Sequence, residues 1–403
     1  MLGVMRNYDT GSPLQREPAL TAVEAEHGAR LRDHIAAALE AAGGWFGFDR
    51  YMDLALYAPG LGYYSAGARK FGGGGDFTTA PEISPLFGAC VARQCAEVLN
   101  ALPGSSILEI GAGSGRLAGD ILENLEKSAA LPRRYRILEV SADLRARQRA
   151  YLEERLPHLA ARVEWLDAPP EEPFDGVIVA NEVLDALPVK RFRWHCDRVE
   201  EMGVALTRGE FVWAARPGSA ELAAYCGTLA AAAGGRWDDG YVSECCPRLP
   251  AWAASVTRGL RAGVALWIDY GLPRAQYYLP ERRDGTLLCH FRQRVSGNPF
   301  LRPGLQDITA WVDFTHVAEA GARAGFDIAG YTTQTYFLAA LGIDERMRDL
   351  AADDQNHLAR LANQARQLMM PGEMGERFKA MAWRRGLTAA LSGFLLRDLR
   401  HTL

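Results

Sequence analysis

The sequence has little excess charge of either sign and almost no lysine. Its 403 residues contain 45 Lys and Arg against 49 Asp and Glu, which gives a net charge of −4. The lysines are Lys70, Lys127, Lys190 and Lys379. Because proteins that bind duplex nucleic acid or anionic lipid usually carry a strong positive field, we expect neither as a partner.

Long apolar runs and paired metal-ligand cysteines are also missing. The longest apolar stretches, such as 263–268 and 176–180, fall far short of the roughly 20 residues of a spanning helix. The N-terminal segment lacks the apolar centre of a secretory signal, so we expect a cytoplasmic protein of bacterial type. The seven cysteines have no zinc-finger spacing, which favours reduced thiols and no metal site.

From residue 104 onward, short buried strands alternate with amphipathic helices. The predicted strands cover 107–110, 135–140, 162–166, 176–180 and 263–269. Such alternation is typical of an α/β fold with a parallel sheet covered on both faces. Two later runs, 326–333 and 377–383, predict an antiparallel hairpin at the edge of that sheet.

The same pattern predicts the domain organisation. Residues 1–103, with an aromatic and glycine-rich passage at 45–76, form a helical and loop cap over the ligand site. Residues 104–403 form the core. Three insertions interrupt it, at about 189–262 (a β-meander and helices), 270–312 (a loop on the substrate side) and 335–372 (helical).

The most informative local sequence is the turn after the first core strand. Glu109 lies on the strand, a helix begins at Arg116, and three glycines at alternate positions lie between them: Gly111, Gly113 and Gly115. Glycine permits positive φ and lets a ligand approach the backbone closely. A dinucleotide fingerprint needs Gly or Ala at position 116, so Arg116 counts against a nicotinamide oxidoreductase. The run matches E-x-G-x-G-x-G, the pattern of class I S-adenosylmethionine (SAM) methyltransferases.

Polar residues follow the next strands, where open parallel sheets bind ligands. Glu139 is placed to accept the hydroxyls of a ribose, of either SAM or a nicotinamide cofactor. Asp167 is placed to meet an adenine amino group, with a solvated surface aspartate as the alternative. Asn181 and Glu182 follow the fourth strand at the expected position of the chemistry, with capping of a helix as the alternative.

Several longer segments resemble the MidA family. They are 75–84, 180–188, 269–271, 277–280, 285–290, 298–307 and 312–315, and together they span most of residues 45–330. The resemblance implies a class I SAM-dependent methyltransferase fold, Rossmann-like, with a mostly parallel seven-stranded sheet and an antiparallel edge hairpin. It also implies an activity, because mitochondrial members help to assemble respiratory complex I by symmetric dimethylation of an arginine.

Carried over to this sequence, the resemblance implies a set of cofactor-binding residues. They are Glu109, Gly111, Ala112, Gly113, Gly115, Glu139, Val140, Asp167, Asn181, Thr79 and Pro81. The segment at 75–82 would close over SAM, and Asp269 and the segment at 298–307 would border the acceptor pocket. The catalytic candidates are Glu182, Asn181 and Asp76, because a guanidinium acceptor needs carboxylates that orient it. Glu82 and Asp185 are weaker candidates, and His290 and His316 could be general bases or structural histidines.

The function predicted from these residues is SAM-dependent methylation, with SAM as cofactor. Arginine of a protein, such as a respiratory complex I type subunit, is the acceptor that the resemblance implies, and a homodimer is left open. Two alternatives stay open as well. One is a small-molecule methyltransferase, and the other is a SAM-binding assembly factor with weak turnover.

Overall fold

The computed structural model describes residues 19–66, 78–196, 198–235, 237–352 and 354–403. The helices are α1 (Ala22–Ala41), α2 (Phe48–Tyr57), α3 (Ala80–Ile83), α4 (Pro85–Ala101), α5 (Arg116–Lys127), α6 (Ala142–Arg155), α7 (Ala220–Ala232), α8 (Leu249–Thr257), α9 (Arg274–Tyr277), α10 (Phe314–Arg323), α11 (Gln334–Ala340), α12 (Ile343–Ala351) and α13 (Gln355–Met369). The strands are β1 (Phe46–Gly47), β2 (Ser106–Ile110), β3 (Tyr135–Leu138), β4 (Val163–Leu166), β5 (Phe174–Asn181), β6 (Lys190–His195), β7 (Arg198–Thr207), β8 (Glu210–Pro217), β9 (Val242–Cys245), β10 (Leu260–Leu272), β11 (Leu288–Phe291), β12 (Arg294–Ser296), β13 (Asp307–Thr309), β14 (Val312–Asp313), β15 (Asp327–Thr333) and β16 (Phe378–Arg385).

The central sheet has the strand order β15-β16-β10-β5-β2-β3-β4, and β14 pairs in addition with β10. Strands β10, β5, β2, β3 and β4 are parallel, whereas β16 is antiparallel to both β10 and β15. The predicted fold class is therefore confirmed, including the antiparallel edge. The strand order reverses between β2 and β5, which is where open α/β sheets bind ligands at the carboxyl ends of their strands.

Both faces of this sheet are buried, as the continuous apolar runs predict. Val177 and Val179 of β5 pack on one face with residues of α4, α5 and α11–α13. Ile178 and Ala180 face the opposite way and pack with residues of α8 and α10. The alternation follows from the two-residue period of a strand. It leaves only the strand ends open to a ligand.

The predicted cap of residues 1–103 stays a prediction, and the structure divides its helices between two sheets. Strand β1 pairs with β7, at Phe46 and Val204, so the first helices join the second sheet, β1-β7-β6-β9 with β8 on β7. Helix α4 packs instead into the central core beside Ile107 of β2. The physical reason is that α4 carries buried residues around most of its circumference, such as Cys90, Val91 and Cys95, and a helix that is apolar all round has to be buried.

The predicted insertions differ from the structure mainly at one boundary. Helix α8, which lies inside the predicted insertion at 189–262, packs on the central sheet through Leu249, Ala253 and Val256. A small sheet, β12-β11-β13, lies within 270–312, and α11–α13 lie within the predicted helical segment. Among the described residues, no helix has both the length and the apolar character that crossing a membrane requires.

Candidate active site

A cleft of about 450 Å³ opens at the carboxyl ends of β2, β3 and β5. Side chains of α2, α3 and α8 complete its walls, so segments far apart in sequence meet there. Its lining residues are Asp53, Tyr57, Tyr64, Thr79, Pro81, Glu82, Glu109, Ile110, Gly111, Ala112, Gly113, Ser114, Leu117, Leu138, Glu139, Val140, Leu144, Asn181, Glu182, Val183, Ala186, Leu187, Pro188, Arg248, Trp252 and Val256.

One end of the cleft is formed by the glycine-rich turn between β2 and α5. Gly111 and Gly113 have φ of +66° and +55°, a conformation that side chains with a Cβ rarely adopt. Below the turn, Glu109 is buried and accepts a hydrogen bond of 2.6 Å from the Tyr135 hydroxyl. Burial raises the pKa of Glu109 to about 7 despite that bond.

Glu139 follows β3 and accepts hydrogen bonds from a backbone N–H and from a side-chain amide. Its Oε1 accepts the Ser141 N–H at 2.9 Å, and its Oε2 accepts the Gln148 amide at 3.2 Å. Gln148 donates also to the Gly113 carbonyl at 3.0 Å. A single buried glutamine thus ties the carboxylate to the glycine turn. Val140, next to Glu139, is 64% exposed on the cleft wall.

The segment at 79–84 closes over the same end of the cleft. Thr79 and Pro81 line it. The Glu82 carboxylate accepts a hydrogen bond from the Ser114 hydroxyl and lies 3.6 Å from the Arg116 guanidinium. Glu82, which the sequence indicates only as a weak acceptor-side candidate, therefore contacts the glycine turn.

Asn181 and Glu182 lie at the floor of the cleft, where β5 ends. Glu182 has a φ of +54°, in the left-handed region that favours glycine. Its Oε1 accepts hydrogen bonds from the Asn181 amide at 3.0 Å and from the Ala80 N–H at 3.3 Å. Among the described residues, the buried Oδ1 of Asn181 has no hydrogen-bond partner.

Carboxyl groups surround Glu182. Burial and then the charge of Asp185 raise the pKa of Glu182 to about 8, and Asp307 acts in the same direction. Burial also raises the pKa of Asp185 to about 6, and one oxygen of Asp185 has no hydrogen-bond partner among the described residues. Burial, Asp185 and Glu182 raise the pKa of Asp269 as well. Within the described residues, Glu182, Asp185 and Asp269 form no ion pair with a Lys or Arg.

Aromatic side chains form the wall beside these carboxyls. The rings of Tyr57 and Tyr64 are stacked, with centroids 5.6 Å apart. The Tyr64 hydroxyl donates to Asp307 at 3.0 Å, and the Tyr57 hydroxyl donates to the Ala186 carbonyl at 2.9 Å. At the rim, Arg248, which precedes α8, pairs with Asp53 of α2 at 3.0 Å.

The structure brings most of the predicted site residues to this cleft, but not all. Asp167 is exposed after β4 and lies outside the cleft lining, and Gly115 caps the start of α5 against Gln148. Asp76 lies outside the described residues. His316 also lies away from the cleft lining, where its Nε2 is 3.2 Å from the Cys246 carbonyl oxygen. His290 on β11 does not line the cleft either.

Sequence reasoning missed Gln148 and the tyrosine wall. Gln148 lies on α6, a helix with many charged residues and a weak apolar stripe, where a polar residue looks like a surface residue. Tyr57 and Tyr64 belong to a passage whose aromatic content was a signal for a binding loop, without indicating which side chain faces the site. A group of potential metal ligands, His195, Cys196 and Asp239, lies exposed and outside the cleft lining, and the absence of a metal stays a prediction.

A family model described as S-adenosyl-L-methionine-dependent methyltransferase matches residues 90–332, more than half of the chain. The chain belongs to this methyltransferase family. The enzyme class and the cofactor predicted from the sequence, SAM, are thereby confirmed.

Individual relatives agree with the family. A solved structure of a Burkholderia thailandensis protein bound to S-adenosyl-homocysteine is 44% identical to this methyltransferase, with a TM-score of 0.91, and covers 96% of this chain and 100% of that one. The protein arginine methyltransferase NDUFAF7 homolog, mitochondrial, of Caenorhabditis elegans is 28% identical over 82% of this chain and 81% of its own length. The protein arginine methyltransferase NDUFAF7, mitochondrial, of Danio rerio is 29% identical over the same shares.

The cleft of this methyltransferase fits the chemistry of SAM. Glycines at positive φ leave the backbone of the turn bare for a close approach. A carboxylate at Glu139 suits vicinal hydroxyls, and the exposed Val140 offers an apolar surface for a flat base. The volume of about 450 Å³ lies within the usual range for cofactor sites.

Proposed function

We propose that this methyltransferase transfers the methyl group of SAM to a cationic nitrogen, an arginine side chain of a protein. In this proposal SAM lies against Gly111, Ala112 and Gly113, with its ribose on Glu139 and its adenine beside Val140. When bound, SAM supplies an electrophilic methyl group on a positively charged sulfur. Thr79 and Pro81 exclude water from that end of the cleft.

The acceptor side of the proposal rests on one observation: buried carboxyl groups cluster at the floor of the cleft. Glu182 lines it, burial and the charge of Asp185 raise the pKa of Glu182, and burial and the charges of Asp185 and Glu182 raise the pKa of Asp269. Buried like charges without a cation are unfavourable, so a positively charged ligand gains from binding here. A planar guanidinium matches a carboxylate through two parallel hydrogen bonds, and the names of the relatives support arginine over other cations.

Methylation of a guanidinium would form a bond from one nitrogen to the methyl carbon while the bond from that carbon to the sulfur of SAM breaks, which leaves neutral S-adenosyl-homocysteine, and the nitrogen releases a proton. Glu182 holds the group and orients that nitrogen, which is the main requirement of an in-line displacement. A carboxylate with a pKa near 8 is also basic enough to receive the released proton. Asn181 orients Glu182 through its amide hydrogen bond. Asp76 stays a further catalytic candidate in this proposal. The protein acceptor is expected in the same compartment as the enzyme.

A labelling experiment tests this function. The purified protein is incubated with methyl-labelled SAM and with host-cell lysate that has been separated into macromolecules and small molecules. We expect label in the protein fraction, recovered as methylarginine after acid hydrolysis. Glu182→Gln should lower incorporation at least about tenfold, the effect of losing a charged hydrogen bond, while its affinity for S-adenosyl-homocysteine stays within twofold.

Glu200→Gln is the matched control, because Glu200 pairs with Arg193 on β6 and β7, outside the cleft lining. It should leave incorporation unchanged. Label confined to the small-molecule fraction would replace the proposal with a small-molecule methyltransferase. Label on lysine would contradict arginine as the acceptor. Binding of S-adenosyl-homocysteine without any incorporation would favour an assembly factor with weak turnover.

A further inference from the structure

We infer that Asp269 is a positioning residue that fixes Glu182 in the cleft. The inference rests on the proposed function, because it gives Asp269 a role through the carboxylate that holds the acceptor. Asp269 lies on β10, one residue beyond the pair formed by Ile268 and Asn181 of β5. Its side chain is fully buried and does not line the cleft.

The carboxylate of Asp269 collects hydrogen bonds from four backbone N–H groups. Its Oδ2 accepts from three consecutive residues, Val183 at 3.1 Å, Leu184 at 2.9 Å and Asp185 at 3.2 Å. Its Oδ1 accepts from Tyr270 at 2.8 Å. Three successive N–H groups can converge on one oxygen only if the backbone curls around it, as in the anion-binding turns known as nests.

This curl begins immediately after Glu182. A residue with a Cβ is strained at a φ of +54° and keeps that conformation only where its surroundings hold it there. On one side, the Glu182 N–H donates to the Ile268 carbonyl at 2.9 Å. On the other side, the next three residues are bound to Asp269. Glu182 is therefore held between two consecutive residues of β10.

The chemistry of Asp269 supports a specific role over general packing. Burial and the charges of Asp185 and Glu182 raise the pKa of Asp269, whereas the hydrogen bonds that Asp269 accepts from backbone N–H groups lower it. A buried charge is tolerated when hydrogen bonds replace its lost hydration, and here the N–H groups of 183–185 do so. Burying Asp269 beside two other carboxyls is unfavourable. Its presence is explained if the turn at 183–185, and with it the direction of the Glu182 side chain, depends on Asp269.

Two measurements test the inference on protein saturated with S-adenosyl-homocysteine. The first is the crystal structure of Asp269→Asn. The amide has one oxygen, so it cannot accept hydrogen bonds both from the N–H groups of 183–185 and from the Tyr270 N–H. The second is the affinity for N-acetyl-L-arginine methylamide, measured by calorimetry for Asp269→Asn, Glu182→Gln and the double variant. Asp269→Glu, which keeps the charge but displaces it by one methylene, replaces Asp269→Asn if that variant does not fold.

We expect Glu182 to leave its left-handed conformation in Asp269→Asn. Each single variant should lose about tenfold in affinity for the arginine probe, and the double variant should lose no more than Glu182→Gln alone. Glu244→Gln is the control. Glu244 is also a fully buried carboxylate that accepts a backbone N–H, from Thr286 at 2.7 Å, but outside the cleft lining. It should lower the melting temperature and leave the probe affinity within twofold.

The outcomes separate the inference from the proposed function. An unmoved Glu182 with unchanged probe affinity in Asp269→Asn overturns the inference. So does a further tenfold loss when Asp269→Asn is added to Glu182→Gln, because Asp269 would then act on the site by another route. If Asp269→Asn displaces Glu182 but Glu182→Gln binds the probe as well as the unaltered protein, the positioning role stands and the proposed acceptor site falls.

Discussion

The two ends of the cleft are built in different ways. The end with the glycine turn comes from one short segment, 109–115, supported by Glu139 and Gln148. The end with the carboxyls combines residues from α2, the end of β5, β10 and β13. Its contacts join residues far apart in sequence, since Tyr64 contacts Asp307 across 243 residues and Tyr57 contacts Ala186 across 129. One end is a local backbone conformation, and the other is an assembly of side chains.

This difference predicts how each end responds to substitution. A backbone cradle fails when an added Cβ occupies the space of the ligand, whatever the charge of the new residue. A cluster of carboxyls fails when its charge changes, even if its shape is kept. Substitutions at the two ends should therefore separate cofactor binding from acceptor binding.

The largest expected effect is at the glycine turn. Gly113→Arg places a long side chain on the cleft wall at a φ of +55°. We expect the affinity for S-adenosyl-homocysteine, measured by calorimetry, to fall at least about a hundredfold, because both the strain and the occupied space oppose binding.

Gly104→Arg is the control for that prediction. Gly104 also has a positive φ, +81°, but a Cβ there meets nothing within 4 Å and the residue does not line the cleft. It should cost some stability and no affinity. Equal losses in the two variants would show that strain in the fold, not the cleft, accounts for the effect.

An intermediate effect is expected from pH at the carboxyl end. Because burial and Asp185 raise the pKa of Glu182 to about 8, this group is largely neutral below that pH and cannot pair with a cation. At saturating SAM, kcat/KM for the protein acceptor should therefore rise as the pH increases through about 8. The kcat profile should be displaced to lower pH, because a bound cation stabilises the ionised carboxylate.

Glu182→Gln identifies the group responsible. The variant should lose the rise near pH 8 along with most of its activity, whereas Glu200→Gln should keep the profile. A profile that is flat between pH 6.5 and 9 in the unaltered protein would contradict the assignment of Glu182 as the acceptor-binding carboxylate. The affinity for S-adenosyl-homocysteine should vary little over the same range.

The same difference explains what the sequence could predict. The positions of the core strands follow from local apolar runs, and the glycine turn follows from the spacing of Gly111 and Gly113, so local sequence was sufficient to find both. The packing of α4 on the central sheet could not be predicted, because α4 looks like part of an N-terminal unit until its partners on β2 and α5 are known. Neighbours in sequence do not determine which sheet a helix joins.

The acceptor end was only partly predictable for the same reason. Glu182 could be placed because it directly follows a buried strand. The role inferred for Asp269 depends on a hydrogen-bonded turn 84 to 86 residues away in sequence, and no spacing rule indicates it. Gln148 joins Gly113 to Glu139 from a helix whose polar residues mostly face solvent. Hydrogen bonds between residues this far apart in sequence can be identified only from the folded structure.

The smallest expected effect concerns the tyrosine wall. Tyr64→Phe removes the hydroxyl that donates to Asp307 at 3.0 Å, while the ring can stay stacked on Tyr57. A neutral donor of this kind contributes about 1 kcal/mol, so we expect the affinity of the protein loaded with S-adenosyl-homocysteine for N-acetyl-L-arginine methylamide to fall about fivefold.

Tyr277→Phe is the matched control, since the Tyr277 hydroxyl contacts Thr286 at 2.8 Å, outside the cleft lining. Tyr277→Phe should leave the affinities for N-acetyl-L-arginine methylamide and for S-adenosyl-homocysteine unchanged. An unchanged probe affinity in Tyr64→Phe would mean that stacking alone fixes the wall. A loss of S-adenosyl-homocysteine affinity instead would mean that Tyr64 belongs to the cofactor end, and the two ends of the cleft would then not be separable by substitution.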